Sequence, residues 1–465
     1  MDIKEKNVLV FGSGLSGIGA ADLLKEVGAC PVIYDSNEDL DPEAIRGKMK
    51  DGAGVRVCLG QLEPKMLADI SLAVLSPGVP TDLPEVERIR QQNIPIWGEV
   101  ELAYQMGKGR VLAVTGTNGK TTTTAMLGKI MADYLPQVYV VGNIGTPYTS
   151  VALKTTEDTV TVAEISSFQL ETIQDFCPQV SAILNITEDH LNRHHTMEEY
   201  IRVKELITEN QGEDQVCVLN YEDLTLREFG KNLRAKTVYF SSLQKLPQGV
   251  WLDGKNIVLK DGDREEIITS TDRLKILGRH NYENTMAAAA MAYYAGVPVD
   301  SIRRSVEEFT AVEHRIEYVT EKNGVAYYND SKGTNPDAAI KGIQAMNRPT
   351  LLIGGGYDKQ SSYEEWIRSF DGKVRYLVLI GQTREKIRDA AARCGFTNTI
   401  LAEDLEEAVK LCARMAHPGD AVLLSPACAS WGQFKNYEER GRMFKEYVRA
   451  LPEETAENRG KIKEN

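Results

Sequence analysis

Val111-Leu112-Ala113-Val114-Thr115-Gly116-Thr117-Asn118-Gly119-Lys120-Thr121-Thr122 is the stretch on which the reading of this chain turns. An apolar, partly β-branched run breaks into Gly-Thr-Asn-Gly-Lys-Thr, and apolar residues then recur at Ala125, Leu127, Ile130 and Met131. That pattern predicts a buried strand, a tight loop and a helix start. The glycines let backbone N–H groups close around an anion, the helix N-terminus adds partial positive charge, and Lys120 reaches the outer phosphates. Thr121 then stands where a hydroxyl ligates the magnesium ion that accompanies a nucleotide. Val114 occupies the place of the usual first glycine, so the loop is a shortened variant of the common phosphate-binding pattern.

Working outward, a strand on the N-terminal side, Asn7-Val8-Leu9-Val10-Phe11, runs into Gly12-Ser13-Gly14-Leu15-Ser16-Gly17. A second strand, Pro31-Val32-Ile33-Tyr34, ends at Asp35-Ser36. Three glycines at this spacing, with an acid about 20 residues on, mark a dinucleotide-type βαβ unit. The geometry suits any diphosphate-linked ribose, so a nicotinamide cofactor is one reading and another nucleotide a second. Leu72-Ala73-Val74-Leu75 delivers a further turn, Ser76-Pro77-Gly78-Val79-Pro80, at a strand's carboxyl end, where open α/β sheets bind ligands. Ile94 to Gly98 reads as a connector before a helix from Glu99 to Met106, so a domain boundary is expected near residue 98.

Beyond the phosphate loop, Tyr139-Val140-Val141 leads to Gly142-Asn143-Ile144-Gly145, and Val160-Thr161-Val162-Ala163 leads to Glu164. A carboxylate at a strand end beside a phosphate loop supplies the hard oxygen that magnesium needs. A strand from Val180 to Ile186 opens into the polar run Thr187-Glu188-Asp189-His190-Leu191-Asn192-Arg193-His194-His195. A helix from Thr196 to Ile207 follows, with Thr196 as N-cap and Glu199 completing a capping box. Lys204 on that helix reads as an ordinary solvated lysine. Asn281 and Asn284, one turn apart, are placed to grip an adenine edge or a ribose together.

From Val312 onward four strands end in Asn329-Asp330-Ser331-Lys332, Gly354-Gly355-Gly356, Gly381 and Ser425-Pro426-Ala427-Cys428-Ala429-Ser430, with helical segments between. This predicts a third doubly wound sheet. The fold class expected is therefore α/β with three doubly wound domains: residues 1–98 Rossmann-like, 99–311 built on the phosphate loop, and 312–465 Rossmann-like again. The charged tail from Glu453 to Asn465 lacks apolar periodicity and is expected to fray.

Bulk properties narrow the function. The chain has 465 residues, enough for about three domains of ordinary size. No apolar run reaches membrane length, and the N-terminus lacks a basic-then-apolar signal segment, so a cytoplasmic protein without membrane insertion is expected. Seven scattered cysteines without a Cys-x-x-Cys pair argue for reduced thiols and against a zinc ribbon. A net charge of −13 repels nucleic acid, so anionic ligands must be held by local donors.

Taken together, the chain resembles the Mur ligases of bacterial cell-wall synthesis over nearly its whole length. The resemblance is carried by 116–122, 142–145, Glu-Ile-Ser-Ser-Phe-Gln-Leu at 164–170, Asn-Ile-Thr-Glu-Asp-His at 185–190, His-Asn at 280–281, His-Arg at 314–315, 329–336 and 425–430. The last two motifs are similar to those of the branch that adds glutamate.

This family joins an amino acid to a UDP-linked muramoyl substrate through an acyl phosphate, using ATP and magnesium. The resemblance implies that UDP-N-acetylmuramoyl-L-alanine and D-glutamate are the substrates, and that the enzyme is a monomer. It implies that the 116–122 loop with Lys120 holds the ATP phosphates, that Asn281 binds the adenine, and that Arg315 and Asp330 contact the nucleotide. Thr121 and Glu164 are implied for one magnesium, and Glu164, His190 and a carbamylated Lys204 for a second. Gly14, Leu15, Ser16, Gly17, Asp35, Ser36, Ser76, Pro77 and Gly78 are implied for the UDP moiety, and Asn143 and His190 for the muramoyl end. Lys332, Thr334, Lys359 and Ser430 are implied for phosphate and D-glutamate. Closure of the third domain over the second is implied as the step that excludes water.

The chain departs from the family pattern at Asn192, Gly333 and Trp431-Gly432. Other readings are a folylpolyglutamate- or cyanophycin-type ligase, a nicotinamide-dependent oxidoreductase resting on Gly12 to Asp35, and a nucleotide-binding module without catalysis. The oxidoreductase leaves the phosphate loop, Glu164 and His190 without a role.

Overall fold

The computed structural model describes residues 2–143, 146–310, 312–358 and 360–452. Ile144, Gly145, Lys359 and the Glu453–Asn465 tail therefore lie outside the described residues.

Three sheets follow one another along the chain. The first contains β1 (Asn7–Phe11), β2 (Cys30–Asp35), β3 (Arg56–Leu59), β4 (Ile70–Leu75) and β5 (Ile96–Gly98), all parallel, in the order β3-β2-β1-β4-β5. The strand order reverses at β1, so the turns after β1 and β4 open at the switch point, where such sheets take their ligands.

The second sheet contains β6 (Arg110–Thr115), β7 (Val138–Gly142), β8 (Val160–Glu164), β9 (Val180–Ile183), β10 (Val216–Asn220), β11 (Lys236–Ser241), β12 (Gly249–Asp253), β13 (Asn256–Asp261) and β14 (Arg264–Ser270). Its order is β14-β13-β12-β11-β10-β9-β6-β8-β7. Strand β6 lies between β8 and β9, so the phosphate loop that follows it has the ends of both neighbours on either side. Val111 to Val114 are at most 4% exposed, in keeping with a central strand covered on both faces. The antiparallel run β12–β13–β14, with no counterpart in the sequence reading, extends one edge.

The third sheet contains β15 (Glu317–Lys322), β16 (Val325–Asn329), β17 (Thr350–Gly355), β18 (Val374–Ile380), β19 (Thr399–Leu401) and β20 (Ala421–Leu424). Its order is β15-β16-β20-β17-β18-β19, parallel except for the antiparallel edge strand β15. Because β20 runs between β16 and β17, the Asn329–Lys332 and Ser425–Ser430 motifs leave adjacent strands. The α/β architecture of parallel-rich sheets agrees with the expected class.

The chain forms two compact units: Met1–Thr271 with Glu283–Val306, and Asp272–Tyr282 with Glu307–Asn465. The first unit carries the first two sheets, whose buried side chains merge into one apolar cluster running from Val8 through Val100 and Ile183 to Leu219. Glu101, fully buried, reinforces this joint by accepting hydrogen bonds from the amides of Gln174, Asp175 and Phe176 at 2.9–3.1 Å.

Local structure corrects the sequence reading in three places. The strand expected over 180–186 ends at Ile183, because Leu184 and Asn185 peel away toward the phosphate loop. The helix expected to reach Ile207 is Met197–Glu205 followed by a 3-10 turn, Leu206–Thr208. Its N-cap forms only half of the expected box: Thr196 accepts from the Glu199 amide, but the Glu199 carboxylate turns to Arg202 at 2.7 and 2.9 Å. A complete capping box appears instead at Ser166 and Gln169, starting the one-turn helix Ser167–Leu170.

Candidate active site

The phosphate loop leaves β6 through two positive-φ glycines, Gly116 (144°) and Gly119 (88°), the second capping the helix Lys120–Tyr134. At Gly119 a side chain is excluded twice over, since a Cβ there would lie 2.4 Å from Asn284 Oδ1. Asn185 fixes the loop: its carbonyl accepts from Thr117 N–H (2.9 Å), its Oδ1 from Asn118 N–H (2.8 Å), and its Nδ2 donates to the Asn118 carbonyl (3.1 Å). Thr117 Oγ1 donates to the Thr187 carbonyl and lies 3.1 Å from the Tyr200 hydroxyl. Two loop amides are thus spent on Asn185. The first four N–H groups of the following helix have no intrahelical acceptor, so its start has donors that could receive an anion.

Two lysines meet on one carbonyl. Lys120 Nζ donates to the carbonyls of Gly116 (2.8 Å) and Thr117 (2.9 Å), and Lys204 Nζ donates to the same Gly116 carbonyl at 2.9 Å. Lys204 is 1% exposed, with its ammonium 4.7 Å from the centre of the Tyr200 ring. Burial, then repulsion by Lys120, pushes its pKa down to about 7. The ordinary helix lysine of the sequence reading is therefore a buried amine that titrates near neutral pH, at about 7.

This has a measurable cost. A lysine whose folded pKa falls from 10.5 to about 7 destabilises the fold fully below pH 7, and less as pH rises toward 10.5. Lys204→Met, in bicarbonate-free buffer, is expected to stabilise the protein by about 2 kcal/mol at pH 6 to 7 after the lost hydrogen bond is counted. The gain should fade by pH 10; urea melts across that range measure it, and a pH-independent difference would refute the assignment.

Glu164 ends β8 opposite Val114. Its Oε1 accepts from Asn143 Nδ2 at 2.9 Å, while Oε2 is buried without a hydrogen-bond partner among the described residues. A buried carboxylate oxygen left unpaired is costly unless a cation or donor reaches it. Thr121, half-buried in the first turn of the adjoining helix, offers a hydroxyl. No group of three or more His, Cys, Asp or Glu side chains able to hold a metal occurs among the described residues. The residues present therefore fit a hard cation that takes most of its ligands from phosphate and water.

His190 adopts a left-handed conformation (φ 53°) as N-cap of the turn Leu191–His194. Its half-exposed ring packs edge-on against Phe168, 4.9 Å between centres, with Nε2 3.5 Å from Asp189 Oδ2. The other two histidines of the polar run have packing partners: buried His194 pairs with Ser167 Oγ (3.0 Å), and His195 with Asp82 (3.2 Å).

In the first sheet, Asp35 latches the glycine-rich turn. Its Oδ2 accepts from Ser13 Oγ (2.7 Å) and Ser13 N–H (2.9 Å), and Oδ1 from Asn37 N–H (3.1 Å). Burial works against its charge, but these hydrogen bonds hold the carboxyl below its usual value. Gly17 is required by close packing, since a Cβ would lie 1.8 Å from the Gly12 carbonyl oxygen. A Cβ at Gly14 would meet nothing within 4 Å, and Leu15 is 75% exposed, so this side of the turn, with Ser16 and exposed Ser36, is open to a ligand. Ser76 Oγ beneath the turn is buried without a hydrogen-bond partner among the described residues; Pro77 and Gly78 follow on the surface.

The second unit gathers its own cluster. Asp330, following β16, accepts from Ser425 Oγ (2.7 Å) and Ile316 N–H (3.3 Å), and burial pushes its carboxyl up to about 7 despite the Ser425 bond and the Arg315 charge. Arg315 Nε is buried without a hydrogen-bond partner among the described residues. Lys332 lies with its ammonium 5.7 Å from the centre of the Tyr437 ring, and Thr334 N–H donates to the Lys332 carbonyl. Ser430 is buried. Arg440, fully buried, ties the two motifs together by donating to Ser331 Oγ, the Ser331 carbonyl and the Cys428 carbonyl at 2.8–3.1 Å.

Asn281 donates Nδ2 to the Leu277 carbonyl (2.7 Å), whereas Asn284, in the other unit, accepts from Thr123 Oγ1 (3.3 Å). Each amide thus has a local hydrogen bond of its own. Sequence reading also missed the structural roles of Asn185, Tyr200 and Arg440. Asn185 had a signal, as the polar residue ending a buried run beside Thr187; Arg440 had none.

Comparison with known proteins gives a consistent answer along the chain. The family model MurD-like N-terminal domain matches residues 6–98, the Mur ligase middle domain 114–292, and the Mur ligase glutamate ligase domain 314–428. A UDP-N-acetylmuramoylalanine--D-glutamate ligase of Lachnoclostridium phytofermentans is 54% identical over 454 residues, covering 98% of this chain and 100% of that protein. The protein of the same name from Lachnospira eligens is 54% identical over 451 residues, 97% of this chain and 100% of its own. Among solved structures, MurF from Acinetobacter baumannii superposes with a TM-score of 0.61 at 16% identity, over 95% of this chain and 93% of that one, a likeness of fold alone.

Proposed function

The chain belongs to the Mur ligase family, and from that premise we infer that it is an ATP-dependent ligase joining D-glutamate to UDP-N-acetylmuramoyl-L-alanine in peptidoglycan synthesis. The observation that carries catalysis, as against mere nucleotide binding, is the buried Oε2 of Glu164, without a hydrogen-bond partner among the described residues, at the strand end beside the phosphate loop.

In this reading the muramoyl-alanine carboxylate attacks the γ-phosphorus of ATP, ADP leaves, and the resulting acyl phosphate is opened by the amine of D-glutamate with loss of phosphate. The barrier in the first step is charge: two anions must meet. Lys120 and the amides at the start of helix Lys120–Tyr134 offset the charge of the transferring phosphoryl group. Glu164 and Thr121 would hold one magnesium ion, and Glu164, His190 and Lys204 a second; such ions would supply charge neutralisation for the phosphates and an anchor for the substrate carboxylate. Lys204 as an ammonium would repel a cation. As an unprotonated buried amine it is suited to react with carbon dioxide, and the carbamate would present an anionic oxygen instead. Asp330, Arg315 and Asn281 serve the nucleotide. Lys332, Thr334 and Ser430 serve D-glutamate, along with Lys359, which lies outside the described residues. The open side of the Gly12–Gly17 turn, with Asp35 holding its shape, and the Ser76–Gly78 turn take the UDP moiety, and Asn143 with His190 the muramoyl end.

The proposal includes domains of 1–98, 99–311 and 312–465, a cytoplasmic location and a monomer. No helix among the described residues is long and apolar enough to cross a membrane.

Phosphate release from ATP, magnesium and UDP-N-acetylmuramoyl-L-alanine, with D-glutamate, L-glutamate, L-alanine or meso-diaminopimelate added, tests the reading. Release that depends on D-glutamate is expected. Release with a different amino acid would move the chain to a sister activity, and none with any would reduce it to a nucleotide-binding module.

A further inference from the structure

Between the Ser76–Pro80 turn of the first sheet and His190 of the second lies a buried ion pair that the mechanism does not use. Arg193 donates Nη2 and Nε to the two carboxylate oxygens of Glu171, at 2.6 and 3.2 Å, with the side chains 10% and 9% exposed. The same Nη2 donates to the Val79 carbonyl at 2.9 Å. Glu171 also accepts from Thr81 Oγ1 at 3.3 Å, and the guanidinium lies 5.0 Å from the centre of the Phe168 ring, the ring that packs on His190.

Each partner is therefore bound at both ends. Arg193 stands three residues beyond His190 on one helical turn, and Glu171 closes the turn that carries Phe168. Both reach across to the segment that continues the Ser76–Gly78 turn. A bidentate guanidinium–carboxylate pair at this burial has a fixed orientation and resists removal of either partner. A point charge cannot replace it, because the fork serves Glu171 and Val79 at once.

Resting on the functional reading above, we propose that Arg193 and Glu171 are positioning residues that couple occupancy of the Ser76–Gly78 turn by the UDP moiety to the placement of His190 and Phe168. Displacement of the turn by a ligand moves the Val79 carbonyl, and the pair passes that movement to the His190 turn. Neither residue touches a substrate.

The test separates coupling from mere support. The chain has six histidines, so the ring resonances are few, and His190→Gln assigns the one of interest. On adding UDP, the His190 ring carbon–proton resonance of the wild type is expected to shift. In Arg193→Met and Glu171→Gln it should stay in place at saturating UDP, while ADP affinity by calorimetry stays within twofold of wild type. Arg193→Lys should restore little of the response. In turnover, both variants should raise KM for UDP-N-acetylmuramoyl-L-alanine and lower kcat, each about tenfold, with KM for ATP unchanged. A His190 shift in the variants equal to that of wild type would overturn the proposal. So would losses spread evenly over all three substrates, or an effect on KM alone, either of which marks simple support of the fold. The resonance reading does not depend on turnover: a wild type that shows the shift but releases no phosphate with D-glutamate would count against the ligase reading and leave the coupling standing.

Discussion

Lys120→Met is expected to lower kcat for D-glutamate-dependent phosphate release by about a thousandfold, close to 4 kcal/mol of transition-state stabilisation. The methionine keeps the aliphatic stem and removes the ammonium that the Gly116 and Thr117 carbonyls now hold at 2.8 and 2.9 Å. Few other cations serve the loop. Lys204 is buried and turned inward onto the Gly116 carbonyl, so its amine is not placed to take over. The loop itself should survive, because its shape is set by Asn185, Thr117 and the two positive-φ glycines rather than by Lys120. The substitution carries an internal control: it removes the Lys120 charge that helps depress the Lys204 pKa, so that pKa should rise. Single-turnover measurement with saturating ATP reads the chemical step, and a variant keeping more than a tenth of the wild-type rate would refute the assigned role.

Glu164→Gln should be nearly as severe, at about a hundredfold to a thousandfold in kcat, with the magnesium dependence displaced to higher concentration. The exchange preserves shape and leaves the side-chain oxygen able to accept from Asn143 Nδ2. It replaces the unpartnered Oε2 by an amide NH2 group, a donor where a cation needs an anionic oxygen. Folding should be little affected, since the charged oxygen that is removed has no hydrogen-bond partner among the described residues. A titration of rate against magnesium decides the matter. If Glu164→Gln and the wild type give superimposable magnesium curves, Glu164 is not a metal ligand, and its orphaned oxygen needs another explanation.

The two substitutions differ in how legible their targets were. Lys120 and Thr121 stand in one contiguous strand–loop–helix, and the local pattern from Val111 to Met131 is enough to place them at its turn. The same holds for the Gly12–Gly17 turn and for the strand ends at Glu164, Asp330 and Ser425. For each of these, local periodicity states which residues are buried, and the break in periodicity states where the ligand-facing turn begins. The edge run β12–β14 escaped notice because short strands between turns carry too few alternations to declare a face.

Lys204, by contrast, is indistinguishable in sequence from a solvated helix lysine. Its burial under the phosphate loop comes from the packing of helix Met197–Glu205 against residues 88 positions away, which no local pattern encodes. Asn185, Arg193 with Glu171, and Arg440 with Ser331 and Cys428 are of the same kind. Local periodicity was enough for the three α/β layers and for the strand-end turns proposed to receive phosphate and nucleotide, because strand, turn and helix propensities act over a few residues. The protonation of Lys204, the lone oxygen of Glu164 and the clamp on His190 arise where segments distant in the chain exclude water from one another, and desolvation is a property of the packed assembly rather than of any segment.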